Sequence, residues 1–246
     1  MDHSLYLAMT GATQLMRAQE AVSNNLANAS TVGFKSELSA FKSLPVLGSG
    51  LSTRINAVAV GIGQDLSQGA IRTTGRPLDV ALDGSGWLTV QAPDGSEAYT
   101  RAGDLQITAD GQLTDAHGYP VMGASGPITI GDSQHIRIGE DGTISAVPAG
   151  NGPNTVSALG QLKLVNPPAG QLTLGSDGLM HMANGGQASV DPAVRVTSGA
   201  LEGSNVNASA ELVKMIALSR QYDMQIKSIK SAEDNAASAT KLLQSN

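Results

Sequence analysis

The sequence predicts an α+β protein: N- and C-terminal helices paired as a coiled coil, a central and mostly antiparallel β domain, and extended β-like connectors. Three observations lead to this fold class. Small and apolar residues recur at alternating spacings of three and four near both chain ends. Between the ends, short β-prone runs alternate with turn signals. The 29 glycines in 246 residues also favour tight connections over long buried helices.

Composition excludes several classes of protein. The formal charge of −6 argues against a nucleic-acid-binding protein. The sequence contains no apolar run near the length of a membrane-spanning helix, and residues 1–4 lack the basic start of a cleaved signal peptide. With no cysteine in the chain, disulfides and thiolate metal sites are excluded. Two Phe and one Trp leave little for a bulky aromatic core.

The first predicted element is one amphipathic helix over about residues 4–28. Gln14, Arg17 and Glu20 make its remaining faces polar, so the apolar stripe is narrow and suits a single helical partner. A surface helix packed only on its own domain is the alternative. The residues predicted to pair with the second helix are Leu5, Ala12, Leu15, Val22 and Leu26.

The next segment, 37–82, is predicted to be a connector with β character, in which 55–60 is the clearest strand. Five segments follow from the composition changes along the chain. They are 1–36 (helix and assembly segment), 37–82 (connector), 83–182 (antiparallel β domain), 183–203 (return connector) and 204–246 (second helix, forming a core domain with 1–36).

Turn residues separate the β-prone runs of the central segment, as in an antiparallel sheet. Four Asp-Gly pairs separate its β-prone runs, at 94–95, 110–111, 141–142 and 177–178. Such pairs support the positive backbone angles that two-residue hairpin turns need. Apolar and polar residues alternate in 105–107 and 136–138, which indicates one buried and one wet face.

The last predicted element is a helix that begins after the polar residues Asn205 and Asn207, with Glu211 suitably placed near its positive end. One side is predicted to pair with the first helix through Leu212, Met215, Tyr222, Ile226 and Ile229. A second apolar side covers either the β domain or another subunit. We favour the subunit contact and assign it to Val213, Ile216, Ala217 and Met224.

The residues that carry catalysis elsewhere are not arranged for it here. The four histidines are scattered without metal-ligand spacing. Asp79 and Asp83 are close in sequence, but carboxylates beside glycine are usually turn residues. The Gly-Ser-Gly at 84–86 lacks the context of a nucleophile elbow. We therefore expect no enzyme activity, cofactor or metal; a hydrolase built on Asp79 and Asp83 is the remote alternative.

Three stretches together resemble the signatures of the bacterial flagellar basal-body rod protein family. The N-terminal one, at 24–35, contains Asn25, Asn28, Gly33 and Phe34. The central one spans 76–88, 99–103 and 110–113. The C-terminal one spans 201–207, with Asn205 and Asn207, and continues to 222. Trp87-Leu88 is a mild departure where paired Phe is frequent. Within the family, the proximal rod proteins next to the distal rod are the most similar.

The resemblance implies a structural role. Members leave the cytoplasm through the flagellar type III export apparatus without a cleaved signal, and Phe34 with Leu38 looks like the export-gate recognition pattern. They polymerise with copies of themselves and with other proximal and distal rod subunits into a periplasmic drive shaft that transmits motor torque. Neither nucleic acid nor membrane embedding is implied. A distal rod or hook subunit is the nearest alternative, and a β-rich cell-wall glycan-binding module is an alternative of another class.

Overall fold

In the computed structural model, the described residues form two α-helices, one short 3-10 helix (Ala169–Gln171) and eighteen strands, arranged in two compact units. The structure describes residues 2–45, 55–131, 133–148 and 155–244. Unit 1 consists of Met1–Ala29, Ser36–Asp65 and Val206–Asn246; unit 2 consists of Ser30–Lys35 and Leu66–Asn205. The predicted α+β class, with helices at both ends and a mainly antiparallel β domain, is confirmed. The five predicted segments are finer than these two units, and their limits stay predictions.

Unit 1 contains both helices and one hairpin. Helix α1 spans Asp2–Ala27 and α2 spans Ala208–Gln244. Strands β1 (Glu37–Pro45) and β2 (Ile55–Gln64) pair antiparallel, with a register shift between Leu38 and Ser39. An isolated two-stranded hairpin is marginally stable in water, so β1 and β2 need a surface to pack against. They find it on α1, which contacts both strands.

Unit 2 is assembled from short antiparallel strands. Its strands are β3 (Ile71–Thr73), β4 (Val80–Asp83), β5 (Trp87–Gln91), β6 (Glu97–Thr100), β7 (Gln106–Ile107), β8 (Leu113–Thr114), β9 (Met122–Gly123), β10 (Gly126–Pro127), β11 (Ser133–Ile138), β12 (Thr143–Pro148), β13 (Ser157–Gln161), β14 (Leu164–Val165), β15 (Leu172–Leu174), β16 (Met180–Met182), β17 (Arg195–Ser198) and β18 (Ala200–Glu202). The largest sheet has the order β14-β5-β6-β16-β15, and a second has the order β11-β12-β13.

All four Asp-Gly pairs form hairpin turns with glycine at positive φ, as predicted, but the loops differ in length from the prediction. In each hairpin the backbone pairs close around three residues, as in Ala92 N to Ser96 O at 2.9 Å and Gly139 N to Thr143 O at 2.8 Å. The glycines have φ between 77° and 84°. This is the three-residue loop in which only the last position is left-handed. The aspartate instead caps the turn: Ser96 N and Thr143 N donate to Asp94 and Asp141 Oδ1.

The core of unit 2 is aliphatic, as the scarcity of aromatic residues predicts. Val90, Leu105 and Leu113 are fully buried within one cluster, and a smaller cluster surrounds Trp87 and Tyr99. Strands β3 and β4, near the beginning of the unit, pair with β18 and β17, near its end. The two ends of the long segment that forms unit 2 therefore run side by side.

Candidate assembly surfaces

The two helices of unit 1 contact each other in antiparallel fashion. A Cβ built on Gly11 would lie 3.4 Å from Cδ of Gln225, so the middle of α1 meets the middle of α2. Further along α1, Ala18 and Val22 share a groove with Leu218 and Lys214, nearer the start of α2. The glycine at position 11 permits this close approach, because it presents no side chain to the partner helix.

The inner face of α1 is composed mainly of small residues. Ala12, Leu15 and Val22 are buried and Leu26 is half-buried, in the positions predicted for helix pairing. The side chain of Leu5 lies outside the described residues. Ala8, Ala18 and Ala21 are also buried. Alanine lets two helical backbones approach closely, so this face suits a tight interhelical contact.

On α2 the inward-facing stripe differs in phase from the prediction. Met215, Tyr222 and Ile229 are half-buried, in agreement with the predicted seam. Leu212 and Ile226 are instead 48% and 43% exposed. Half-buried side chains recur at alternating spacings of three and four, and they are Met215, Leu218, Tyr222, Gln225, Ile229 and Ala232. A polar residue, Gln225, occupies the place opposite Gly11, which an apolar pattern could not reveal.

The polar face of α1 holds the hairpin, a contact that the polar pattern of this face does not predict. Gln14 is 7% exposed, and its Oε1 accepts a hydrogen bond from Ala59 N at 3.0 Å. Asn25 is 3% exposed and binds both backbone groups of Glu37, donating to its O at 3.0 Å and accepting from its N at 2.8 Å. The amide of Asn25 thus replaces a neighbouring strand at the start of β1.

An open groove of about 260 Å³ runs along this arrangement inside unit 1. Small and apolar side chains dominate it, with the paired charges of Glu211 and Lys214 at one end, 2.6 Å apart. Its lining includes Ala21 from α1, Leu38 and Phe41 from β1, and Ala217 from α2.

The residues predicted for subunit contact are on the outside of α2. Val213, Ile216 and Met224 are 67%, 55% and 60% exposed, and Ala217 is exposed at the edge of the groove. The outer face of α1 carries a second apolar stripe, which the sequence analysis did not identify. It consists of Tyr6, Met9 and Met16, at 70%, 53% and 50% exposure.

Two of the motif residues act as helix-end polar groups. Asn207 Oδ1 accepts a hydrogen bond from Ala210 N at 3.1 Å, which makes Asn207 the N-cap of α2, as expected. Asn28 Nδ2 donates to Asn24 O at 3.0 Å at the end of α1. Leu38 is 42% exposed on β1.

The remaining motif residues belong to unit 2. Gly33 has φ +69°, and a Cβ there would lie 2.2 Å from the carbonyl carbon of Arg101. Phe34 is half-buried, and its O accepts a hydrogen bond from Asn205 N at 3.3 Å. Asn205 Nδ2 donates to Ser67 O at 3.2 Å. Glycine is therefore required at position 33, both because φ is positive and because there is no space for a Cβ.

A buried ion cluster accompanies this motif, and the sequence analysis missed it. Lys35 Nζ lies 2.6 Å from Glu202 Oε1, and Arg101 Nη1 lies 2.8 Å from Glu202 Oε2. The side chains of Lys35, Arg101 and Glu202 are all at most 3% exposed. The guanidinium of Arg101 also stands 5.4 Å from the ring of Trp87. Lys35 and Glu202 are 167 positions apart, so no local pattern links them.

Asp79 and Asp83, which the sequence analysis considered as a catalytic pair, have structural roles. Asp79 is 3% exposed; it accepts a hydrogen bond from Thr74 Oγ1 at 2.6 Å and pairs with Arg76 Nε at 3.1 Å. Asp83 is exposed and accepts from Thr197 Oγ1 on the neighbouring strand. Within the described part of the chain, His, Asp and Glu nowhere gather as a group of three or more able to hold a metal ion.

Burial changes the acidity of several groups in unit 2. It raises the pKa of Asp104, of Asp115 and of the Tyr99 hydroxyl. The opposite shift occurs in the exposed hairpin turns, where hydrogen bonds from Ser96 and Thr143 lower the pKa of Asp94 and of Asp141. These shifts accompany core and turn structure.

Three known families match consecutive parts of this architecture. "Flagella basal body rod protein" matches residues 5–35, which include α1 and the motif after it. "Flagellar hook protein FlgE/F/G D1 domain" matches 81–146 in unit 2, and "Flagellar basal body rod FlgEFG protein C-terminal" matches 197–242. None of the helices in the described ranges has the length and apolar character needed to cross a membrane.

Whole-chain relatives agree with these matches. The chain is 46% identical to the flagellar basal-body rod protein FlgF of Escherichia coli K12 and 45% identical to that of Salmonella typhimurium LT2, each over 99% of both chains. It is 32% identical to the flagellar basal-body rod protein FlgG of Bacillus subtilis 168, over 95% of this chain and 96% of the relative. The chain therefore belongs to the flagellar basal-body rod protein family.

Proposed function

We propose that this chain is a structural subunit of the proximal rod of the bacterial flagellar basal body. It polymerises through its terminal helices into the drive shaft that transmits motor torque across the periplasm. The observation that carries the assembly mechanism is the outer face of α2, where Val213, Ile216 and Met224 are more than half exposed. Exposed apolar side chains that gather on one face of a helix support an interaction surface there.

The proximal position, rather than a distal rod or hook position, is supported by the degree of similarity. Identity is 45–46% to the FlgF proteins of Escherichia coli and Salmonella typhimurium, against 32–34% to several FlgG proteins. Its partners are further copies of itself and the neighbouring rod subunits. A structural subunit needs no cofactor and performs no catalysis.

The helix pairing forms an antiparallel coiled coil. Alternating spacings of three and four between Met215, Leu218, Tyr222, Gln225 and Ile229 support it, because this is the repeat that keeps one seam facing a partner helix. The exposed stripe of α2 lies outside that seam and stays available to another subunit. Contacts between unlike surfaces of successive subunits generate an open helical array, which is the symmetry a rod requires.

Export through the flagellar type III apparatus, with Phe34 and Leu38 as its recognition pattern, is part of the proposal. It predicts that Phe34→Ala lowers the amount of chain exported. The half-buried position of Phe34 means that the substitution also weakens the folded chain. Leu38→Ala, at a 42% exposed position, is therefore the cleaner variant. Unchanged secretion of Leu38→Ala would argue against the pattern.

Motility of cells carrying Ile216→Asp tests the assembly mechanism. Ile216 is 55% exposed, so a carboxylate there leaves the fold of the isolated chain intact but places a charge in the subunit contact. We expect swimming to be lost while thermal unfolding of the purified variant stays unchanged. Val190→Asp, at a 52% exposed apolar position of unit 2, is the matched control and should swim normally. Normal swimming of Ile216→Asp would contradict the proposal.

The rod position is tested separately by imaging. Purified basal bodies labelled at this subunit should carry the label in the proximal section of the rod. A label along the distal rod or the hook would favour the neighbouring role within the same family.

A further inference from the structure

Every covalent connection between unit 2 and the rest of the chain leaves from one place in that unit. The chain passes from unit 1 to unit 2 or back after residues 29, 35, 65 and 205. In unit 2 the corresponding ends are therefore Ser30, Lys35, Leu66 and Asn205. The contacts described below join the segments that carry these four ends.

Backbone hydrogen bonds make the first set of connections. Gly33 N donates to Glu202 O at 2.8 Å, and Asn205 N donates to Phe34 O at 3.3 Å. Gly203 N donates to Ala70 O at 2.9 Å. The segment 30–35 is thus bonded to the last residues of unit 2, and these in turn to the segment that begins at Leu66.

The side chain of Glu202 makes the second set. Its carboxylate accepts hydrogen bonds from Lys35 Nζ at 2.6 Å, Gly69 N at 2.8 Å and Arg101 Nη1 at 2.8 Å. The three donors belong to three separate segments: the short insertion, the chain after Leu66, and the end of β6. Charge-assisted hydrogen bonds to a buried carboxylate are among the strongest polar contacts in proteins.

Three further contacts complete the arrangement. Lys35 Nζ donates to Ser67 O at 2.6 Å, and Asn205 Nδ2 donates to the same oxygen at 3.2 Å. On the sheet side, Arg101 Nη2 donates to Gly84 O at 2.7 Å. We call Lys35, Ser67, Arg101, Glu202 and Asn205 the exit cluster.

We propose that the exit cluster is a load-sharing clamp. A force that pulls on one of the four chain ends of unit 2 is passed through Glu202 to the segments that carry the other ends, and through Arg101 to the sheet. No segment is then pulled away alone. The role of the clamp under torque rests on the proposed function as a rod subunit. Its mechanical coupling rests only on the contacts inside unit 2.

If the exit cluster is a clamp, the segments that carry the four ends of unit 2 should open together. In Glu202→Gln the buried cations Lys35 and Arg101 lose their shared anion, and breaking a buried ion pair in this way is strongly destabilising. We expect hydrogen exchange of the Gly33, Gly69 and Gly203 amides to accelerate jointly, on the order of 100-fold. The core amides of Leu113 and Val121 should still exchange more slowly than these three amides, because core amides exchange through global unfolding.

Two variants make the measurement decisive, using the full chain in each case. Glu97→Gln breaks a second Lys–Glu pair of unit 2, with Lys163, in which the two side chains are 7% and 13% exposed. It should leave the exchange of the Gly33, Gly69 and Gly203 amides unchanged. Lys35→Met preserves the Arg101–Glu202 pair, so the protein remains folded even where Glu202→Gln does not. For Lys35→Met we expect about a tenfold acceleration that includes Gly69 and Gly203, whose amides donate to Glu202 and Ala70.

Two results would overturn the clamp. One is acceleration confined to Gly33 in Lys35→Met, which would reduce the cluster to a local contact. The other is an equal acceleration of the Gly33, Gly69 and Gly203 amides in Glu97→Gln, which would make the exit cluster an ordinary contribution to global stability. Because exchange is measured on the isolated chain, either result would count against the clamp whether or not the chain is a rod subunit.

Discussion

The two units differ in how much of their apolar surface is buried within the chain. Unit 2 closes around its own core, where Val90, Leu105 and Leu113 have no exposed surface. In unit 1, Glu211 is the one buried side chain among the described side chains of α2, while Val213 and Met224 are more than half exposed. Unit 2 therefore has the burial of a finished domain, whereas unit 1 leaves apolar surface exposed, which the proposed subunit contact would cover.

The largest expected effect comes from a substitution that creates a cavity in the core of unit 2. Leu105→Ala removes a fully buried side chain from the core, and we expect a loss of about 2–5 kcal/mol in the free energy of unfolding. Leu212→Ala, at a 48% exposed position of α2, should cost less than about 1 kcal/mol in the isolated chain. Chemical denaturation of both variants measures the difference. Similar losses would mean that the contrast between the units is wrong.

The motif glycine gives the next test. Gly33→Ala combines a positive φ with a contact at 2.2 Å to Arg101, and we expect a loss of about 2–3 kcal/mol. Gly75 has a similar φ of +75° but no atom within 4 Å of an added Cβ. Gly75→Ala should therefore cost only about 1 kcal/mol. Thermal unfolding separates the two effects, and equal costs would show that strain alone explains the glycine.

The third test concerns unit 1, where the side-chain amide of Asn25 holds the beginning of β1. Asn25→Ala removes both hydrogen bonds to the backbone of Glu37 and leaves that half-buried strand end without them, at an expected cost of about 1–3 kcal/mol. Exchange of the Glu37 amide should accelerate, with little change in the core of unit 2. Asn24→Ala, at an exposed position on the same helix, is the control and should leave the Glu37 amide protected.

The smallest expected effect concerns pH. Burial raises the pKa of Asp115 above its ordinary value of 3.8, so the folded state holds this proton more tightly than the unfolded state. The stabilisation is complete below the unfolded pKa and is lost as pH rises through the folded pKa. Asp115→Asn removes this dependence. The variant should therefore gain stability relative to the wild type as pH increases from 3 to 7 in denaturation experiments; a constant difference would contradict it.

Local features were predictable from the sequence. The Asp-Gly turns depend on a few adjacent residues, and the structure has them at all four places, although their length follows the three-residue rather than the two-residue geometry. The N-cap at Asn207 is equally local. The helices at both ends were visible in their periodicity, because that pattern repeats over many turns.

Non-local features were not predictable. The seam of α2 includes Gln225 because it faces Gly11, and this pairing depends on the relative position of two distant helices. Gln14 and Asn25 look like wet polar residues until the hairpin supplies their backbone partners. Lys35, Arg101 and Glu202 are separated by up to 167 positions, so their association appears only in the folded chain.

The convergence of the ends of unit 2 has a consequence for how such a protein can change. Because β3 and β4 run beside β18 and β17, a long stretch of chain departs and returns at neighbouring points. Insertions, deletions or replacement of the intervening fold need not disturb the pairing of α1 with α2, provided that the ends keep their spacing. With this connectivity, the length and content of unit 2 and the pairing of α1 with α2 are largely independent properties of the chain.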